Sequence, residues 1–183
     1  MAKDRKIDLV ILGLLVHEDL TGYDIKKRID GAISFFWKGS FGSIYPALSE
    51  MEKSGLVAKR SADDGSRREK ILYHLTGPGM QTLKRWLNEE QAANDLKYET
   101  LLKLYFGGAE GIGVTIRNIR YFEEQVKRDL AVLNVYKENL EKVLDQKDHI
   151  YYYLTVTFGI DTYEAYLKWC RKAKKLLGER SAR

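Results

Sequence analysis

The side chains in this sequence best suited to chemistry are hydrogen-bond donors rather than nucleophiles. Arg67, Arg68 and Lys70 cluster just after an Asp64-Gly65 turn signal, and upstream Ser43, Tyr45, Pro46, Ser49 and Lys53 share one face of a segment with helical period. Ser, Tyr and Lys can donate to phosphates or base edges, and an aromatic or proline ring can touch a thymine methyl. A helix fits the major groove of duplex DNA, while Arg and Lys on a hairpin reach phosphates or the neighbouring minor groove. On charge alone the three cations could equally solvate a loop. Catalysis finds no such convergence. His17, His74 and His149 are far apart in sequence and share no ligand spacing with Cys170 or with a carboxylate pair, so no catalytic set, metal site or cofactor is expected. Neither a G-x-S-x-G nor a P-loop nor an H-E-x-x-H motif occurs. Cys170 lies among cations but has no paired base, and reads as a small packing residue.

The elements that must position these donors follow from periodicity and turn chemistry. Ile44, Ala47, Leu48 and Met51 make one apolar stripe, and Gly55 sits where a left-handed residue ends a helix before Leu56 and Val57 carry the chain into a strand. A start near Ser43 leaves Pro46 in the free first turn. Leu56 to Arg60 and Arg67 to Leu75 read as a hairpin. On its second strand, period two groups Ile71, Tyr73 and Leu75 with Arg67 and Glu69, against Arg68, Lys70, Leu72 and His74. Thr76 is the expected cap of a following helix through Pro78, Met80, Leu83, Trp86 and Leu87. Upstream, Ile7 to His17 predicts a helix apolar nearly all round, which the fold or a second chain must cover. Thr21 is the expected cap of a helix over Tyr23 to Ile33, and Phe35, Phe36 and Trp37 read as core under a loop. Helix, helix, helix, two-stranded hairpin, helix is the order of a winged helix-turn-helix.

The 183 residues carry a net charge of +5, and 44% are hydrophobic, which is ample for a core. The charge is spread evenly: Met1 to Glu90 holds 15 Lys and Arg against 13 Asp and Glu, the remainder 16 against 13. A nucleic-acid footprint therefore has to come from local clustering. One cysteine excludes an internal disulfide; no start resembles a signal peptide and no apolar run approaches a bilayer span, so a cytoplasmic protein without membrane contact is expected.

Gln91 to Asp95 is the expected boundary between a domain at 1–90 and a helical one at 91–183. Lys97 to Phe106 predicts a short helix, and Gly107 to Gly113 follows a helix rather than a strand, so it reads as a connection and not a nucleotide loop. Val114 to Gln146 predicts a long helix with Ile119, Val126, Leu133 and Leu140 at d and with Glu123 and Lys137 among its a positions, suited to packing partly on its own chain and partly on another. A last helix through Thr162 to Leu177 is expected to end at Gly178, its Arg171, Lys172, Lys174 and Lys175 solvated. Tyr151, Tyr152, Tyr153, Phe158, Tyr163, Tyr166 and Trp169 either line a site for a flat ligand or fill the helix-packing core.

The segments LGLLVHEDLTGYDIKKRI, GSIYPALSEMEKSGLV and SRREKILYHLTGPGMQTLKRWL resemble the PadR family of transcriptional regulators over Ile7 to Glu90. The most specific part is Tyr45-Pro46-Ala47-Leu48 with Glu52, Gly55 and Leu56, followed by Tyr73, Leu75 and Thr76. The resemblance implies a mainly α fold with a small β-hairpin, an N-terminal winged helix-turn-helix and a C-terminal helical dimerisation domain. It also implies a homodimer on double-stranded DNA with a palindromic operator, acting as a repressor, as most members do. Several members are released by small aromatic or amphipathic compounds; from the aromatic C-terminal half, Tyr153, Tyr163, Tyr166 and Trp169 are the effector-binding residues expected here. Carried over, Ser43, Tyr45, Pro46 and Ser49 face the groove, and Lys53, Arg67, Arg68 and Lys70 meet phosphates. Gly77-Pro78-Gly79 departs from the acidic first turn the resemblance leads one to expect. Two rival readings stay open: a module whose winged helix meets protein more than DNA, and a small-molecule binder or enzyme built on the aromatic C-terminal half.

Overall fold

A computed structural model describes residues 5–37, 44–62, 70–90, 98–146 and 148–181. The chain divides into two compact units, Met1–Ala93 and Asn94–Arg183. The first contains α1 (Lys6–Leu14), β1 (Leu20–Thr21), α2 (Gly22–Asp30), a 3-10 turn (Ala32–Phe35), α3 (Ile44–Lys53), β2 (Val57–Ala62), β3 (Lys70–Leu75) and α4 (Gly77–Leu87).

The core of this unit gathers the stripes of its helices. Ile11, Leu12 and Leu15 from α1 and the residue beyond its end meet Ile25 and Ile29 of α2, Ile44, Ala47, Leu48 and Met51 of α3, and Leu83 of α4. The first helix packs against α3 and α4 of its own chain, which bury Leu9, Ile11 and Leu12 and leave Ile7, Val10 and Leu14 half-buried. Phe36 and Trp37 are 57% and 40% exposed rather than buried under a loop, which corrects the core reading; only Phe35 of the three is half-buried.

The sheet has three strands in the order β1-β3-β2, all antiparallel, where two were expected. Leu20 and Thr21 pair with Tyr73 and Leu72, and Val57 to Ala62 run against Leu75 to Lys70. A two-residue strand carries too little pattern to be read from sequence. The second predicted helix is also shorter: α2 stops at Asp30, and the chain tightens into the 3-10 turn.

The second unit contains α5 (Glu99–Tyr105), a 3-10 turn (Gly107–Ala109), α6 (Ile112–Glu141) and α7 (His149–Ser181). Lys174 meets Glu123, a Cβ at Gly159 would touch Leu133, and Tyr153 bonds Glu141, so α6 and α7 run antiparallel along their lengths. Ile119, Val126 and Leu133 are buried at the expected d positions, with Leu140 half-buried. Two expectations fail on α7. It runs through the exposed Gly178 to Ser181, because one glycine without a left-handed φ does not end a helix. Lys174 is not simply solvated: its Nζ donates to Glu123 Oε2 at 2.5 Å, supplying the counter-charge to a carboxylate that is only 7% exposed. Cys170 is fully buried, and burial pushes its thiol up, away from the thiolate a nucleophile needs.

Candidate nucleic-acid interface

Local chemistry fixes α3 at its far end. The Leu56 N–H donates to the Met51 carbonyl at 2.8 Å and Gly55 N–H to Glu52 at 3.0 Å, with Gly55 at φ 72, which is a Schellman stop. The residue types then sort by face. Ile44, Ala47, Leu48 and Met51 are buried, while Tyr45, Pro46 and Lys53 are exposed and Ser49 is half-buried between them. Pro46 lies in the first turn, where its missing N–H costs nothing.

Ion pairs tie down the acids of this helix. Arg5 Nη2 lies 2.5 Å from Glu50, and Lys59 Nζ lies 2.6 Å from Glu52. Hydrogen bonding to Asp8 and the charges of Asp8 and Glu50 hold Arg5 up despite partial desolvation, and Lys59 is held up by its bond to Glu52. Each carboxylate faces a cation, leaving the Tyr45, Ser49 and Lys53 side of α3 without an uncompensated negative charge. Such a surface suits a polyanion.

The wing is held to the helices by Thr76. Its hydroxyl lies 2.6 Å from the Gly55 carbonyl and 2.9 Å from that of Leu56, to which it can donate, and accepts from Gly79 N–H at 3.1 Å. The missing acidic first turn has a physical reason: a Cβ at Gly79 would lie 2.1 Å from the Leu56 oxygen, so only glycine fits where a capping acid would stand. Lys70 opens β3 as an exposed residue. Ser43, Arg67 and Arg68, together with the Asp64-Gly65 turn, lie outside the described residues, as does the boundary at Gln91 to Asp95.

Sequence reasoning missed the contribution of β2 and α2. Arg60 is exposed on β2, 3.4 Å from Asp19, and Lys59 lies over the Tyr73 ring at 5.9 Å. On α2, Tyr23, Lys26 and Lys27 line a shallow dent, and Lys26, ion-paired with Asp30, feels both Tyr23 and Tyr45. The signal was present in the sequence as exposed cations on the helix preceding α3.

The four aromatic residues expected to meet an effector do not form one group. Tyr163 and Tyr166 meet as tilted rings with centroids 5.8 Å apart, and Tyr166 is joined by Phe122 at 5.8 Å and by Tyr98, whose hydroxyl bonds that of Tyr166. Tyr98 was not foreseen. Burial pushes the Tyr163 phenol up to about 12 and raises Tyr166 further, aided by the Tyr98 bond. Half-buried Trp169 lies one turn beyond Tyr166. Tyr153 stands apart: its hydroxyl donates to Glu141 at 3.2 Å, roughly 20 Å along α7 from Tyr166 at 1.5 Å per residue. No group of three or more His, Cys, Asp or Glu among the described residues could hold a metal ion, and no described helix is long and apolar enough to cross a membrane.

Comparison with known proteins matches residues 11–85 to the Transcriptional regulator PadR-like family and residues 96–178 to the Virulence activator alpha C-term family. The negative transcriptional regulator PadR of Bacillus subtilis is 29% identical over 90% of this chain and 93% of its own length. Its crystal structure with operator DNA superposes with a TM-score of 0.85 at 27% identity, covering 96% of this chain and 99% of that one. The same protein with p-coumaric acid gives a TM-score of 0.74 at 25% identity over 95% and 99%.

Proposed function

We propose that this chain, whose residues 11–85 match the PadR-like family of transcriptional regulators, binds a palindromic operator as a homodimer and represses until a small aromatic compound releases it. The observation that carries the reading is α3: one face is buried in the core, its acids are tied to cations, and the other face offers Tyr45, Pro46, Ser49 and Lys53. In this reading those residues and Ser43 enter the major groove, while Arg67, Arg68 and Lys70 meet phosphates from the wing and Arg60 of β2 adds a further cation. Residues 1–90 act as the DNA-binding domain and 91–183 as the dimerisation and effector domain.

Homodimerisation draws support from the second unit, where Tyr151, Leu154 and Phe158 recur on one side of α7 and are 66%, 57% and 69% exposed. An apolar stripe of that kind is what a second copy covers. The aromatic group around Tyr98, Phe122, Tyr163 and Tyr166 supports a flat phenolic effector, given that the Bacillus subtilis relative is known with p-coumaric acid. We read the protein as a cytoplasmic regulator with no catalytic role.

The test starts from a randomised duplex pool. Purified protein selects its preferred sequence, sedimentation gives the stoichiometry, and p-coumaric acid and other small aromatic acids are then titrated in. Two protomers per inverted repeat, and release by a member of the panel, are the expected results. Recovery of no preferred sequence would overturn the regulator reading, and a bound monomer would overturn the dimer.

A further inference from the structure

Gly22 opens α2, and nothing in its backbone calls for glycine: among the described glycines only Gly55 and Gly111 have positive φ. Alanine would suit a helix better. Its surroundings explain the choice. A Cβ at residue 22 would lie 2.6 Å from Cε1 of Tyr45, 3.2 Å from Cζ and 3.3 Å from Cδ1, so all three nearest atoms belong to one ring. By contrast, a Cβ at Gly13 or Gly77 would meet nothing within 4 Å.

That ring is no core residue. Tyr45 is 60% exposed, on the face of α3 assigned to the groove. The backbone beneath it is held firmly. Thr21 accepts from the Asp24 N–H at 3.1 Å, its own N–H donates to Asp24 at 3.3 Å in a capping box, and Thr21 pairs with Leu72 in the sheet. An exposed aromatic side chain lying on a fixed and bare stretch of backbone loses less freedom when it meets a ligand.

We propose that Gly22 is a positioning residue for DNA recognition: its missing side chain forms the seat of the Tyr45 ring, which is presented to the groove already ordered. The inference rests on the regulator reading above and adds a residue that touches no DNA itself. A methyl at position 22 pushes the ring off its seat. Because the ring is exposed it can swing into solvent, so the fold is spared and recognition is not.

The experiment is a double-mutant cycle by fluorescence anisotropy, with the selected duplex and a scrambled one, on the full chain. Gly22→Ala is expected to raise Kd for the selected duplex by about three- to tenfold, the range set by ordering one side chain. In the Tyr45→Ala background the same change should alter Kd by less than about twofold, as for uncoupled sites. Thermal unfolding of Gly22→Ala should stay at or above that of the parent, a readout that separates positioning from simple damage. Tyr45→Phe keeps the ring and should keep the coupling. Equal losses in both backgrounds, or no loss in the parent, would overturn the inference while leaving specific binding by the parent intact. Failure of the parent itself to prefer any duplex would overturn the regulator reading and this inference with it.

Discussion

Replacing Gly79 by alanine should be among the costliest one-carbon changes in the first unit. The added methyl would stand 2.1 Å from the Leu56 carbonyl oxygen, 2.8 Å from Leu75 Cδ1 and 3.1 Å from Leu12 Cδ2. The leucine tips can give; the carbonyl cannot move freely, because it accepts from Thr76 N–H at 3.3 Å and lies 2.9 Å from the Thr76 hydroxyl. Overpacking of this kind costs about 1–3 kcal/mol, and each strained hydrogen bond adds about 0.5–1.5 kcal/mol. Better helix propensity returns at most about 1 kcal/mol. With both Thr76 bonds strained the net is a loss of about 1–5 kcal/mol. Gly77→Ala, two residues earlier with nothing within 4 Å, is the matched control. Urea unfolding followed through Trp86, with Trp37 and Trp169 replaced by Phe in parent and variants alike, reads the unit that contains α4. A Gly79→Ala variant within about 0.5 kcal/mol of Gly77→Ala, the spread of ordinary surface changes, would refute the close-approach reasoning.

Three further outcomes follow from the electrostatics. Asp24 is held below the usual carboxylate range chiefly by the Thr21 hydroxyl, so its contribution is present above its unfolded value and lost as pH falls through the lower folded value; Asp24→Asn should therefore flatten the acid limb of stability below about pH 4. Tyr163 is raised to about 12 by burial, so the neutral phenol favours the fold below its unfolded value of 10 and that contribution drains away between there and about 12; absorbance titration of Tyr163→Phe should lack the phenol that ionises at about 12, leaving the later one of Tyr166 in place. Glu123→Ala should cost about 1–3 kcal/mol by stranding Lys174 beside Cys170, whereas Glu123→Leu with Lys174→Met should recover most of it in chemical denaturation.

The parts of the fold visible in the sequence were those where local rules and the tertiary structure agree. The stripe of α3, its stop at Gly55 and the cap at Thr76 each satisfy a backbone requirement within a few residues, and each stands as expected. The winged helix-turn-helix order follows from them. Long-range needs left weaker traces. β1 exists only because Tyr73 and Leu72 offer it a partner, and the charge of Glu123 at an a position finds its partner in Lys174 on another helix. Gly79 looked anomalous because the Leu56 carbonyl that excludes a side chain lies far back along the chain. The α3 residues proposed for the groove could be named from side-chain type and period, whereas Gly22 could not, since a missing side chain is noticed only beside the ring that lies over it.

The most direct test of the account is the salt dependence of binding to the selected duplex and to its scramble, followed by anisotropy on the full chain. A dimer touching roughly 6–10 phosphates should lose affinity with a log–log slope of about −0.9 per contact on both duplexes. The preference for the selected duplex is expected to persist as salt rises, because base-edge contacts from α3 would not depend on released counterions. Equal affinities that vanish together with salt would contradict it, leaving a basic surface without a reading helix.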